Sequence, residues 1–415
     1  MDMRNIKNEF PVFARKISGK KLIYFDNACT LLKPKPVIEA VCGYYKNLGV
    51  CSGDRSSHQL SWQVQKEIEE AREAVKEFIN ASSSKEIIWT RNSTEGINLV
   101  AASFPLEKQR NEVILTVLEH HSNLLPFYEQ SRRRRFKIKI LPINKDGTLD
   151  LGLLKKAISK KTALVAVSHL SNVTGLVYPI KEIAQLAHRQ GAKILVDDAQ
   201  YIATHREDVK YNQVDFMVFS GHKIGAPTGI GALYIKEPLI KKMLPYNVGG
   251  GTVQSVEIKG GKIRAEYLAH PFKFEAGIQH YAGIIGLKAA IDFLKKTGYG
   301  KITGRVEALS LYALGRLQRI PEVRLLIDYE ASNPSSLICF CFDHKKVSLY
   351  DFNLFLNHGL KDYFIAVRCG HHCAQPLHRF LGAEISMRLS FFIYNTEKEI
   401  DIFCGALAGF LKRKK

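Results

Sequence analysis

From about residue 85 onward, short apolar runs alternate with helical stretches, and this alternation narrows the possible folds more than any other property of the chain. "NEVILTVLEHH", "TALVAVSHLSNVTG", "AKILVDDAQ" and "VDFMVFSGHK" each read as a strand ending in polar residues. Helical stretches such as "IKEIAQLAHRQG" lie between them, with Gly191 placed to end the helix in a left-handed turn. The glycines of "GAPTGIGALYI" suit a turn and one more strand. Apolar strands separated by helices need a sheet covered on both faces. The expected class is therefore α/β with a mostly parallel sheet.

Near residue 296 the pattern changes. "SNPSSLICFCFDH", "YFIAVRCGHHC" and "ISMRLSFFIYNT" read as strands separated by helices such as "SLYDFNLFLNHG". The expected division is a large α/β domain over 20–295 and a smaller α+β domain over 296–415, with residues 1–19 packed against the latter. A chain of 415 residues is long enough for two domains. No apolar run reaches membrane-spanning length, and the N-terminus has no hydrophobic signal region. A cytoplasmic location is expected, with the eight cysteines reduced. Cys42, Cys339, Cys341 and Cys404 sit among apolar residues and read as small core side chains.

The net charge is +20, which can attract nucleic acid or acidic proteins. The dense basic run, "SRRRRFKIK", reads as a solvated helix end leading into an edge strand. No zinc-finger spacing or RNA-binding aromatic motif accompanies it, so weak, non-specific nucleic-acid binding is the most this charge implies.

The strand ends carry the chemistry. Glu119-His120-His121, Ser168 to Asn172, Asp197 to Gln200 and Ser220 to Lys223 close successive strands. Ligands in open α/β sheets bind beyond the carboxyl ends of the strands, so these clusters point to one shared site. Lys223 is either a surface loop lysine or a Schiff-base lysine, whose amine becomes nucleophilic when desolvated or set near other cations. Asp197 could cap a helix. It could equally pair with the ring nitrogen of pyridoxal 5'-phosphate, keeping that nitrogen protonated. Ser93 and Thr94 precede an apolar helical run, where the same helix N-terminus can be capped and can hold a phosphate. His120 could be a satisfied loop histidine or a flat ring over a pyridine face. Asn172 could be a turn residue or a partner for the cofactor's phenolic oxygen, a role Gln200 could share.

"RCGHHCAQP", Arg368 to Pro376, holds two cysteines and two histidines within five residues. Taken alone it fits a metal clamp, a reactive thiol in a basic loop, or simple packing. A zinc site usually draws on two separated ligand pairs, and no second pair is visible in the sequence.

Taken together and in order, "RNSTEGIN", "EHHSN", "SNVTG", "VDDAQ", "SGHK", "GGG", "FEAG", "VRCGHHCAQP" and "RLSFFIYNT" resemble the class V aminotransferase family, in particular its cysteine desulfurases of the SufS/CsdA type. The likeness runs from about residue 22 to residue 400. It implies fold type I of the pyridoxal-phosphate transferases and a homodimer. By this resemblance Lys223 bonds the cofactor covalently, Asp197 pairs its ring nitrogen and His120 stacks on the ring. Asn172 and Gln200 contact the ring oxygen or substrate. Ser93, Thr94, Ser220 and His222 hold the phosphate. Arg388 binds the substrate carboxylate with Arg368 close by, a task that suits a guanidinium fork. Cys373 is the nucleophile that takes up sulfur as a persulfide, favoured as thiolate by Arg368, His371 and His372. Cys369 is then a spectator.

Two positions depart from the family pattern. Ile278 stands where the family commonly has a threonine that reaches the phosphate across the dimer. Asp198 replaces the usual glycine and is expected to add negative charge near the ring. The activity implied is conversion of L-cysteine to L-alanine, with sulfur passed to an acceptor protein for iron–sulfur clusters or another thio-compound. Selenocysteine lyase, or another C–S lyase on this scaffold, is the alternative enzyme. A basic nucleic-acid-binding protein with a decayed cofactor site is the alternative outside enzymes.

Overall fold

The computed structural model describes residues 3–53, 56–329, 334–342 and 347–414. Its centre is a seven-stranded sheet. The order across it is Ile87–Thr90, Gly231–Ile235, Phe216–Ser220, Lys193–Asp197, Thr162–Ser168, Glu112–Thr116 and Lys137–Leu141. Gly231–Ile235 runs antiparallel to both of its neighbours, and the remaining pairings are parallel. The basic run ends the helix His121–Arg134 and leads into the edge strand Lys137–Leu141. Arg134 is not free for a ligand, because its guanidinium donates to the carbonyls of Ala101 and Phe104 at 2.7 and 2.6 Å.

Alternation along each central strand feeds two apolar layers. Val165, Val167, Ile194, Val196, Met217 and Phe219 enter one core. Leu164, Ala166, Leu195, Phe216 and Val218 enter the other. The helices Gln59–Phe78, Ile180–Arg189 and Tyr281–Thr297 cover the first face, and Ser93–Ser103 and His121–Arg134 cover the second. A sheet sealed on both sides can open only at its strand ends. Gly191 ends Ile180–Arg189 with φ +76°, and a Cβ there would lie 2.6 Å from the Arg110 guanidinium.

A second, antiparallel sheet runs Val323–Leu325, Leu337–Phe342, Ser386–Ser390 and Arg368–Gly370. The strand expected across 332–344 is thus Leu337–Phe342, and positions 332–333 and 343–344 of that motif lie outside the described residues. The N-terminal strand Lys20–Tyr24 pairs in parallel with Tyr363–Ala366, immediately before the loop at Arg368. Cys339, Cys341 and Cys404 are buried as expected, but Cys42 is exposed. Its helix, Lys35–Asn47, buries Val37 and Tyr44 instead, so the apolar neighbours of Cys42 misled the reading.

Candidate active site

The carboxyl ends of the central strands, the N-terminus of helix Ser93–Ser103 and the loop following Arg368 enclose a cavity of about 720 Å³. Its wall contains Ser93, Thr94, His120, Asn172, Asp197, Gln200, Ser220, His222, Lys223, Arg368, Cys373 and Arg388, which are all the site residues expected from the sequence.

Lys223 sits in the single turn Gly221–Ile224 that follows strand Phe216–Ser220. Burial holds its amine below the ordinary lysine value, against the opposing pull of Asp197. Asp197 ends the neighbouring strand, and its Oδ1 accepts from the Ala199 N–H at 3.1 Å. Burial raises its carboxyl, while Lys223 draws it back down. His120 caps helix His121–Arg134, its Nδ1 accepting from the Ser122 N–H at 3.1 Å. Burial, then the charge of Lys223, press its pKa down to about 3, so the ring is neutral. Glu119 braces this turn, accepting from Thr116, Asn123 and Ser168 at 2.5, 2.7 and 2.8 Å.

At the helix end, Asn92 is the cap and the helix begins at Ser93, one residue earlier than a Ser-Thr cap would place it. Ser93 N–H donates to Ser220 Oγ at 2.9 Å, and the Ser93 and Ser220 hydroxyls pair at 2.7 Å. The Thr94 hydroxyl pairs with that of Ser122 at 2.8 Å. Ser122 was not singled out from the sequence. It lies two residues beyond His120, within the quoted "EHHSN".

The loop bearing Cys373 is fixed by contacts on several sides. His121 N–H donates to the Cys373 carbonyl at 2.8 Å, and Asn172 Nδ2 donates to the His372 carbonyl at 2.7 Å. His372 and Cys373 both lie in the left-handed region, with φ of 50° and 55°. Such backbone persists in non-glycine residues only where the surroundings hold it. The Cys373 side chain is exposed. His372 does not stand beside it as a cation, as the sequence suggested. Its Nε2 lies 3.0 Å from Ser386 Oγ, and burial keeps it neutral.

Arg388, on strand Ser386–Ser390, is 3% exposed and donates to the Asn172 carbonyl at 3.1 Å. Asp26 lies between Arg388 and Arg368, 3.5 and 3.6 Å from their guanidinium nitrogens. Gln200 Nε2 donates to the Ala28 carbonyl at 2.9 Å. Asp26 and Cys29 were missed. Both lie in "FDNACT", directly after the strand Lys20–Tyr24, ahead of the region where the strand–helix pattern starts.

Asp198 is turned away from this cavity. Its Oδ1 and Glu207 Oε2 lie 2.8 and 2.9 Å from Nδ1 of His169, whose ring stacks on Tyr201 at 3.5 Å. Its carboxyl therefore faces an imidazole, and burial raises it, which corrects the expectation of added negative charge near the ring. Among the described residues, donor atoms of His, Asp and Glu gather within 4.8 Å of one another at this triplet. The "FEAG" segment is anchored by a buried ion pair: Arg72 grips both oxygens of Glu275 at 2.8 and 2.9 Å. Ile278 beyond it is 64% exposed.

A sheet covered on both faces, with a lysine and an aspartate at adjacent strand ends and a helix N-terminus opposite, defines a pyridoxal-phosphate enzyme of fold type I. The aminotransferase class-V family matches residues 23–403, and the chain belongs to that family. A cysteine desulfurase of Escherichia coli O7:K1 is 38% identical over 398 residues, covering 95% of each chain. The apo cysteine desulfurase of Thermococcus onnurineus superimposes with a TM-score of 0.90 at 32% identity, covering 99% of this chain and 98% of that one. The Escherichia coli cysteine desulfurase CsdA, in an S-sulfonic acid form, superimposes with a TM-score of 0.88 at 32% identity and full coverage of both chains.

The family's cofactor is pyridoxal 5'-phosphate, and the residues present fit it. The hydroxyls of Ser93, Thr94 and Ser220 lie at the helix N-terminus, where an anion is favoured, and His222 lines the same cavity. A lysine amine that burial holds below its ordinary value follows one strand, and a buried carboxyl ends the adjacent one. Arg388 Nε and His372 Nδ1, both buried in the cavity wall, have no protein partner.

Proposed function

We infer that this chain is a pyridoxal-phosphate-dependent cysteine desulfurase that converts L-cysteine to L-alanine and takes up the released sulfur on Cys373. The observation that carries this is the shared cavity: Lys223, Asp197, buried Arg388 and exposed Cys373 all line it.

When bound, the cofactor withdraws electrons from the substrate α-carbon. The protein groups do the rest. Lys223 supplies an amine that burial keeps available as a nucleophile and as a proton carrier. Asp197 favours a proton on an aromatic nitrogen set against it. The neutral His120 offers a flat face without adding charge. Arg388, with Arg368 beside it, is suited to the substrate carboxylate, and Asp26 fixes both guanidinium groups. The Cys373 thiolate attacks the substrate sulfur. A new S–S bond forms as the substrate C–S bond breaks, and the electron pair stays with the carbon skeleton. Protonation of that skeleton gives alanine. The test is formation of alanine from L-cysteine, with one added sulfur on the peptide containing Cys373.

The likeness to cysteine desulfurases also supports an acceptor protein that draws sulfur from this exposed thiol for iron–sulfur clusters or another thio-compound. The exposed Ile278 beyond the anchored Glu275 supports a homodimer completed at this segment. The +20 charge supports weak, non-specific nucleic-acid binding. Affinity for single-stranded RNA that does not fall with salt would refute that. Eight free cysteines and the absence, among described residues, of a helix able to cross a membrane are consistent with a cytoplasmic enzyme.

A further inference from the structure

The active-site cavity holds a thiol that the reaction described above does not use. Cys29 lines it together with Cys369 and Cys373. Cys369 is a poor nucleophile, because burial raises its thiol to about 11. Cys29 is differently placed. It is half-buried and accepts a hydrogen bond from the Arg368 guanidinium. Arg368 begins the same loop that carries Cys373. Cys29 and Cys373 both lie close enough to Arg368 and to Lys223 to act on the charge of each. Buried Arg388 and His372, each with an unpartnered nitrogen, face the same space. Cys29 thus sits on the Arg368 guanidinium in the cavity that Cys373 also lines, with the Arg388 guanidinium buried in the same wall.

We propose that Cys29 is a second sulfur-carrying site, which takes the sulfur from the Cys373 persulfide and frees Cys373 for another turnover. This rests on the assignment of Cys373 as the first carrier. The Cys29 thiolate attacks the outer sulfur of the Cys373 persulfide. An S–S bond forms at Cys29 as the one at Cys373 breaks, and the electron pair leaves with the Cys373 thiolate. The exchange is isoelectronic: no oxidant or reductant is consumed, and the proton lost by Cys29 is regained at Cys373 or the new persulfide. The Arg368 guanidinium, hydrogen-bonded to Cys29, holds that sulfur on the strand that leads into the loop bearing Cys373. Attack on the inner sulfur would instead give a Cys29–Cys373 disulfide and free hydrosulfide, leaving no sulfur on Cys29.

The test uses the cofactor-loaded enzyme mixed with L-cysteine without reductant or acceptor, quenched at short intervals. Fragment-ion mass spectrometry then places the added sulfur. In the wild type, sulfur is expected first on Cys373 and then on Cys29. Cys29→Ser and Cys29→Ala should carry it on Cys373 only, with an alanine burst about half that of the wild type, since one acceptor thiol is lost. Cys373→Ser should leave Cys29 unlabelled. The cofactor absorbance checks that each variant is folded. Sulfur confined to Cys373 in the wild type, or a Cys29–Cys373 disulfide in its place, overturns the relay and leaves the Cys373 assignment standing. Labelled Cys29 in Cys373→Ser overturns the order of transfer. No sulfur on either cysteine overturns the Cys373 assignment itself.

Discussion

Arg388 and Asp26 approach to 3.5 Å, joining the strand Ser386–Ser390 to the loop after the first long strand of the chain. Burial pushes the Asp26 carboxyl up, and Arg388 and Arg368 pull it back, so this acid stays a partner to both guanidinium groups. Replacing Arg388 by lysine keeps the charge but loses the planar fork. Arg388→Lys should raise KM for L-cysteine more than it lowers kcat. The fall in kcat/KM should be about 10- to 160-fold, as for one charged hydrogen bond of about 1.5–3 kcal/mol. Steady-state kinetics with unchanged KM would remove Arg388 from the substrate carboxylate.

Lys223→Ala should abolish the absorbance of the lysine-bound cofactor and all alanine formation. Lys223 is the lysine that lines this cavity, and its amine is held below the ordinary value by burial. An absorption spectrum and an alanine assay suffice. Cofactor-dependent turnover in that variant would remove Lys223 from the reaction.

Cys373→Ser should retain the cofactor spectrum and lose cysteine desulfuration by orders of magnitude. A hydroxyl is a poor nucleophile at neutral pH and cannot carry persulfide sulfur. Cys369→Ser should cost little, because that thiol is already held protonated by burial. Comparable turnover by Cys373→Ser and the wild type would place the nucleophile elsewhere.

The exposed Ile278 predicts both an assembly and a gain. Light scattering should return a dimer. Ile278→Thr, by adding a hydroxyl beside the partner's phosphate site, should tighten cofactor binding by about 0.5–1.5 kcal/mol, the worth of one neutral hydrogen bond. A fully active monomer would contradict the first expectation, and unchanged cofactor affinity the second.

The His169–Asp198–Glu207 triplet predicts a pH dependence of stability. Burial pulls the imidazole down, but Asp198 and Glu207 outweigh it and raise it to about 9. In the unfolded chain a histidine titrates near about 6.5. The folded protein therefore keeps a proton that the unfolded chain has lost. The stabilisation is complete below pH about 6.5 and disappears as pH rises through about 9. Asp198→Asn removes one of the two carboxylates, so its thermal midpoint should fall less than that of the wild type between those values. Identical slopes would mean the triplet holds no such proton.

The sequence announced the central sheet because its strands are buried on both faces and read as unbroken apolar runs. It announced most of the site because each strand hands its last polar residues to the same end of the sheet. Other features were not local enough to read. The antiparallel direction of Gly231–Ile235 depends on its neighbours, and the turn before it fits either direction. His372 looked like a cation next to Cys373 until the fold turned it toward Ser386. Asp198 looked like extra charge near the cofactor because its partner Glu207 is nine residues on, with no periodic link to it. Cys29 and Asp26 precede the repeating pattern and meet the other site residues only across the folded chain.

That meeting of chain ends sets the order of events at birth. The Ala28 N–H donates to Ser390 Oγ across 362 residues, and Lys20–Tyr24 finds its parallel partner only in Tyr363–Ala366. A ribosome that has released Lys223 and Asp197 has made one wall of the cavity without Arg388, Cys373 or the second sheet. Long-range pairing of this kind is slow, because a large loop must close before any contact rewards it. The nascent chain therefore passes through a stage in which Lys223 and Asp197 have been made and the loop and strand that bring Cys373 and Arg388 to them have not.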